Sequence, residues 1–303
     1  MRHSIRGFGT SVSATLAAAA PRHVSPARLL LRRLVRRKLV LLSLLVLALV
    51  FAAAAAAPWV APYAPQRMDI LHRLAAPSAL HWFGSDDFGR DVLSRCLWGA
   101  RTSLTVGLLV VVIAGLAGTA LGVAAGYLRR LDGVLMRVTD AMMAFPDILL
   151  AIALMAALGA SAANVVIALG VVYTPRVARV ARGGTLVLRE LQFVEAAEAL
   201  GAGGRRIMLV HLLPNLLSAL LVQCTFLFAA SILTEAGLSF LGAGVPPTVP
   251  TWGNMIAAAQ QYMDRAQWLI LAPGLCIVLT VLALQVVGDG LRDALDPKLR
   301  RIR

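Results

Sequence analysis

The sequence predicts an all-α integral membrane protein with six transmembrane helices and both termini cytoplasmic. Three observations predict it. Of 303 residues, 59% are hydrophobic and 15% charged, where soluble domains run near a quarter charged; mean hydropathy is +0.79. Charge-free runs of roughly 20 residues, the length a helix needs to cross the hydrocarbon core, recur along the chain. The basic residues, which leave a net charge of +14, gather on one side of those runs. This balance excludes a disordered chain, a coiled coil and a simple basic nucleic-acid binder.

The first helix is read near Leu39–Val60, within the charge-free run from Leu39 to Gln66. Its Leu-rich start and Ala52–Ala57 also resemble a cleavable signal peptide with an A-x-A site, but the apolar run continues to Trp59 and Val60, as in an uncleaved signal anchor. The second lies within Thr102–Leu128. The run from Ile148 to Thr174 is too long for one span. Leu158-Gly159-Ala160-Ser161-Ala162-Ala163-Asn164 interrupts it with small and polar residues suited to a turn. The third helix is therefore placed near Val138–Leu158 and the fourth near Ala163–Ala181. The fifth runs from Leu216 to Thr234, the sixth from Trp268 to Gly288.

With the N-terminus inside, 23 of the 29 Lys+Arg fall in the segments 1–38, 128–137, 176–214 and 289–303. The other six are Arg67, Arg73, Arg90, Arg95, Arg101 and Arg265, all external. The positive-inside rule then fixes orientation, and the arginines are topology signals rather than a nucleic-acid footprint. The chain divides into a flexible cytoplasmic extension (1–25), an N-terminal segment with the first helix (26–75), an external loop (76–100), a membrane domain (101–290) and a basic cytoplasmic tail (291–303).

Catalytic and metal chemistry find little support. Cys96, Cys224 and Cys276 form no C-x-x-C pair and no disulfide framework. His3, His23, His72, His81 and His211 are dispersed and form no H-E-x-x-H or Cys/His cluster, so no metal and no cofactor are expected. No nucleophile–base pair is evident.

Within the membrane, Gly118, Gly122 and Gly126 line one face of the second helix at a spacing of four. Such glycines admit a closely packed helix from the same subunit, the favoured reading, or from a second one. Asp140 follows Arg137 by three residues and can pair with it locally. Asp147 follows Pro146, which frees a carbonyl and can kink the helix. Glu235 ends the apolar run of the fifth helix, and Asp289 that of the sixth. Ionisable groups in a span are functional candidates. Pro146, Asp147 and Glu235 are the candidate pore or gate residues; for Asp147 a structural pairing is an equal alternative.

About forty residues separate the fourth and fifth helices. Glu190, Leu191, Phe193, Val194, Ala196, Ala197 and Leu200 give them an amphipathic helical pattern, which Gly201, Gly203 and Gly204 end. Such a helix must seat its apolar face on lipid, on its own subunit or in a partner.

Glu195-Ala196-Ala197, then Gly201, then Leu213-Pro214 resembles the EAA signature of ABC importer permeases, E-A-A-x3-G-x9-I-x-L-P, departing from it only at His211 in place of isoleucine. The form His211-Leu212-Leu213-Pro214-Asn215 resembles the dipeptide, oligopeptide and nickel branch. Residues 83–95 (Phe-Gly-Ser-Asp-Asp-Phe-Gly-Arg-Asp-Val-Leu-Ser-Arg), Ala144-Phe145-Pro146, and residues 235–242 with Pro246-Pro247 and Thr251–Met255 resemble further segments of that branch. The resemblance spans roughly residues 28 to 300 and points to the C-type subunit of a permease pair.

That resemblance implies a type I ABC importer permease fold in the bacterial inner membrane and a division of labour. A second permease completes the path, likewise buried in lipid. Cytoplasmic ATPase subunits hydrolyse ATP, and an extracytoplasmic solute-binding protein delivers substrate. The chain itself has no G-x-x-x-x-G-K-[ST] phosphate cradle. The loop 183–214 would couple to the ATPase through Glu195, Ala196, Ala197, Gly201, His211, Leu213 and Pro214. Asp86, Asp87, Arg90, Asp91 and Trp252 would meet the binding protein; alternatively the loop charges pair among themselves and Trp252 anchors the interface. Di- or oligopeptides are the expected cargo, with nickel and glutathione as alternatives. An ion-coupled secondary transporter is the remote rival, since it leaves the long loop without a role.

Overall fold

The computed structural model describes residues 37–295, and every regular element among them is helical. The extension 1–25, the start of the segment 26–75 and most of the basic tail lie outside the described residues. Helix α1 spans Lys38–Val60 and carries Ala52–Ala57 without a break. A loop with one 3₁₀ turn, Ile70–His72, leads to the 36-residue α2, Val92–Tyr127. Helices α3 (Arg129–Met143) and α4 (Asp147–Leu158) follow, then α5 (Ala162–Leu188) and the short α6 (Gln192–Ala199). Helix α7 is continuous over Gly204–Phe240, with a π-helical stretch at Ile207–Leu212. Helices α8 (Trp252–Ala259) and α9 (Trp268–Leu295) complete the described chain.

Five helices are long and apolar enough to cross a membrane, and the sixth candidate span is the pair α3 and α4, bent by 93° at the break between them. The single third helix expected at Val138–Leu158 is thus two. Proline explains the break: Pro146 has no N–H to return to the preceding turn, and its ring disfavours the α conformation at Phe145. Pro146 is extended, at φ −57° and ψ 131°, and serves as the N-cap of α4.

The other spans overrun their expected bounds because charge-free runs mark where lipid contact ends, not where the backbone leaves the helix. Helix α2 begins at Val92 because the Asp91 carboxylate caps it, accepting from Ser94 N. Helix α5 begins beside Ser161, whose hydroxyl accepts from Asn164 N, and it continues to Leu188 through Arg176, Arg179 and Arg182.

The two largest apolar clusters join most of the helices. One joins α2, α4, α5 and α7 through Val110, Ala151, Leu169, Tyr173, Leu216 and Leu227. The other joins α1, α2, α7, α8 and α9 through Leu47, Leu104, Phe228, Ile232, Trp252 and Ile277. Leu45, Leu49, Leu116, Leu271 and Leu282 remain exposed, as side chains facing lipid do. Helices α2 and α5 pack closely along a stripe of glycines. A Cβ at Gly118 would meet Val177 Cβ at 2.6 Å, one at Gly122 would meet Ala178 O at 2.3 Å, and one at Gly126 would meet Thr185 Cβ at 2.6 Å. The glycine stripe therefore packs within this subunit.

Candidate functional site

Helix α6 stands between the two long helices α5 and α7. Leu191 is extended and breaks the helical path before Gln192. Val194 and Ala197 turn inward, and Val194 packs with Ile207 and Leu212 of α7, with Tyr127, Leu188, Ala202 and Met208 around them. Phe193, Glu195, Ala196 and Leu200 turn outward, and Leu200 is 89% exposed. One face of α6 is thus bolted to its own subunit, and the other presents an apolar and acidic surface.

The exit from α6 is a Schellman turn. Gly201 N–H donates to Glu198 O at 2.9 Å and Ala202 N–H to Ala197 O at 3.0 Å. Gly201 has φ +79° and open space around it, so the glycine is there for its backbone, not for room. Tyr127 Oη donates to Glu198 Oε1 at 3.3 Å, tying α6 to the end of α2. His211 is half-buried in the π-helical stretch, and its carbonyl accepts from Asn215 Nδ2 at 2.7 Å. Leu213 is half-buried and Pro214 exposed at the next turn. Proline cannot donate back into the helix, and the π stretch lies directly before it.

Asp132, Asp140 and Asp147 form ion pairs with arginines of α5, and Glu235 is held by serine hydroxyls, whereas Asp289 at the end of α9 is exposed. Asp147 pairs with Arg176, whose guanidinium lies 5.3 Å from the centre of the Tyr173 ring. Asp140 pairs not with Arg137, as expected, but with Arg179 at 2.7 Å. Arg137 lies on the same helix as Asp140, whereas α5 runs alongside and presents its arginine across the gap. Asp132 takes Arg182 in a two-pronged contact at 2.5 and 2.7 Å. The three pairs form an antiparallel ladder that holds the broken span against α5. Glu235 is fully buried in α7 and accepts from Ser103 Oγ at 3.2 Å and Ser239 Oγ at 2.9 Å.

The external-contact candidates are placed differently from the expectation. Trp252 is 1% exposed, and its Nε1 donates to Cys96 O at 3.1 Å. Asp91 is buried between Ser94 and His81. Asp86 is buried too, accepting from Phe88 N, Arg90 N and Arg90 Nε at 2.9, 2.9 and 2.6 Å. Asp86 and Asp91 thus hold the loop from within, and Trp252 packs α8 against α2. Asp87 and Arg90 are nearer the surface, and Arg90 stacks 4.6 Å from the Phe88 ring centre. Burial pushes the Asp87 carboxyl above its ordinary range, and the neighbouring Asp86 charge adds to this. The outward face of the loop is instead Ile70, Leu71, Trp82, Phe83 and Phe88.

Sequence reasoning missed the partners: Ser103 for Glu235 and the arginines 176, 179 and 182 for the three aspartates. The spacing of three along α5 was a readable signal. The match to carboxylates at 132, 140 and 147 was not, because it depends on the bend.

Comparison with known proteins is consistent with this architecture. Residues 118–301 match the family model described as "Binding-protein-dependent transport system inner membrane component". Residues 25–77 match the "N-terminal TM domain of oligopeptide transport permease C". The dipeptide transport system permease protein DppC of Alkalihalophilus pseudofirmus is 47% identical over 230 residues, covering 76% of each chain. The di/tripeptide transport system permease protein DppC of Pseudomonas aeruginosa is 45% identical over 251 residues, 80% of this chain and 83% of that one. The glutathione transport system permease protein GsiD of Pectobacterium atrosepticum is 44% identical over 251 residues, 82% of this chain and 83% of that one. Among solved structures, a chain of the MetNI methionine ABC transporter in an inward-facing conformation shares the fold. Its TM-score is 0.55 at 20% identity, over 67% of this chain and 97% of that one.

Proposed function

The chain belongs to the family of binding-protein-dependent transport system inner membrane components, and from that premise we propose that it is the C-type permease subunit of an ATP-driven importer of di- and oligopeptides. It is a multi-pass protein of the bacterial inner membrane. In this reading a second, different permease completes the translocation path and an extracytoplasmic binding protein delivers the peptide. ATP is hydrolysed on separate cytoplasmic subunits. Residues 101–290 are the translocating domain, and the basic segments keep both termini cytoplasmic.

The observation that carries the proposal is the two-sided build of α6. Val194 ties it to α7, while Leu200, Phe193, Glu195 and Ala196 are left outward on a helix too short to be stable alone. An element of that kind is suited to a groove in an ATPase, where it converts closure of the ATPase dimer into a displacement of α7. ATP binding would favour an outward-open state, and hydrolysis the inward-open one. The shift is set by the difference in binding between the two states. Glutathione, itself a tripeptide, is the second reading, supported by the relative of that name.

Uptake of labelled dipeptide, longer peptide, glutathione and nickel in a deletion strain tests the proposal. The wild-type chain should restore dipeptide uptake. Gly201→Asp should insert in the membrane and fail to restore it. Restoration of nickel uptake alone would overturn the peptide assignment, and undiminished uptake by Gly201→Asp would overturn the role of α6.

A further inference from the structure

The five histidines are dispersed in the sequence, but the fold gathers two of them. Asp69, His72 and His81 can each present a ligand atom within 4.8 Å of the other two. The sequence shows no H-E-x-x-H or Cys/His cluster; the grouping of these three residues arises only from the fold. All three lie on the loop between α1 and α2, remote from α6 and from the carboxylate ladder.

His81 is the deep member. It is 4% exposed, and its Nδ1 lies 2.9 Å from Asp91 Oδ1. Asp91 is itself fixed: its other oxygen accepts from Ser94 N at 2.8 Å and Ser94 Oγ at 2.7 Å. The carboxylate therefore draws the imidazole proton to Nδ1, which leaves Nε2 with a free lone pair. That Nε2 is buried and has no hydrogen-bond partner. A buried acceptor left unmet costs free energy, and a histidine held by a carboxylate on one nitrogen with the other nitrogen open is the arrangement that orients metal ligands.

The other two members are more exposed and touch each other, with His72 Nδ1 2.8 Å from Asp69 Oδ2. Asp69 caps the 3₁₀ turn, accepting from Leu71 N at 3.2 Å, and His72 N donates to Asp69 O at 3.0 Å. The His72 carbonyl accepts the Ser85 hydroxyl. The His72 and His81 rings lie 5.9 Å apart between centres, and Tyr63 packs on the far ring at 5.2 Å. Two imidazoles and one carboxylate suit a divalent first-row ion such as zinc, with a fourth position left for water. Magnesium and calcium prefer all-oxygen shells and fit poorly.

We propose that Asp69, His72 and His81 bind one divalent ion of the zinc class, which fastens the loop's 3₁₀ turn to the start of α2 through His81 and Asp91. The site is independent of cargo and of the coupling assigned to α6.

The test uses the full-length chain, purified on a tag without histidines, reconstituted in nanodiscs and dialysed against Zn²⁺ alone. Elemental analysis should find one zinc per chain. His72→Ala changes an exposed side chain, so folding is not at risk, and it should weaken binding at least about tenfold; His81→Ala should abolish it. Co²⁺ in the wild-type chain should give the intense visible bands of a tetrahedral site, absent from His72→Ala. Replacing His3 and His23 by alanine should leave binding unchanged. Binding that is sub-stoichiometric, that persists in both His72→Ala and His81→Ala, or that is lost with His3 and His23 would overturn the proposal.

Discussion

Ser103 of α2 donates its hydroxyl to Glu235 of α7 at 3.2 Å, and the same hydroxyl accepts from Trp252 N at 3.3 Å. One small side chain thus links two spans and the start of α8. Glu235→Gln keeps an acceptor in place and should fold and insert like the wild type. Glu235→Leu strands two serine hydroxyls in a buried site, at about 1–3 kcal/mol for each group left unmet. Thermal unfolding in detergent should show a clear fall for Glu235→Leu and a small one for Glu235→Gln. Equal falls would mean that the volume of the side chain matters and its oxygen atoms do not.

Gly122 leads to a sharper contrast. Its missing Cβ would sit 2.3 Å from the Ala178 carbonyl, a backbone atom that cannot swing away. Gly122→Ala should force α2 from α5 and cost about 1–3 kcal/mol. At Gly133 of α3 a Cβ meets nothing within 4 Å, so Gly133→Ala should be neutral or gain up to about 1 kcal/mol of helix propensity. The two variants differ in sign, and the same unfolding assay reads both.

The ladder between α5 and the broken span can be measured one rung at a time. A double-mutant cycle on Asp132 and Arg182 should return a coupling of about 1 kcal/mol or less, since both side chains are partly exposed. Exchanging the two charges should recover part of what Arg182→Ala loses. A cycle on Asp140 and Arg137, residues three apart on one helix, should return no coupling.

Leu200 and Val194 separate docking from folding. Leu200 is outward and Val194 is seated on α7. Leu200→Ser should leave the chain's unfolding temperature unchanged while weakening co-purification of ATPase subunits. Val194→Asp should lower the unfolding temperature itself, because it puts a charge among Ile207 and Leu212. If Leu200→Ser retained its full complement of ATPase, the outward face of α6 would not be the docking face.

The spans were readable because lipid imposes a length and a polarity that composition alone reveals. The helix that carries Glu195 and its end at Gly201 were readable because an apolar period and a glycine have local backbone consequences; the importance of Glu195–Pro214 as a unit came from its resemblance to the EAA signature. What could not be read was every relationship between distant residues. From the sequence Trp252 reads as a binding-protein contact or, alternatively, as an interfacial anchor; only the fold shows its N–H donating to Cys96 O. Asp140 looked satisfied by Arg137 because sequence distance was the only distance available. His72 and His81 looked unrelated because a turn, not a helix period, brings them together.

Helix α7 is 37 residues long, which at 1.5 Å per residue makes a rod of about 55 Å, against a hydrocarbon core of about 30 Å. It therefore cannot be only a span. With the fifth span read at Leu216–Thr234, Ile207 and Leu212, the two residues on which Val194 rests, fall on the part beyond the bilayer. Helix α6 sits on the short end of a beam whose long end carries Glu235. A sideways push at the short end would reach the far side of the membrane through one continuous helix.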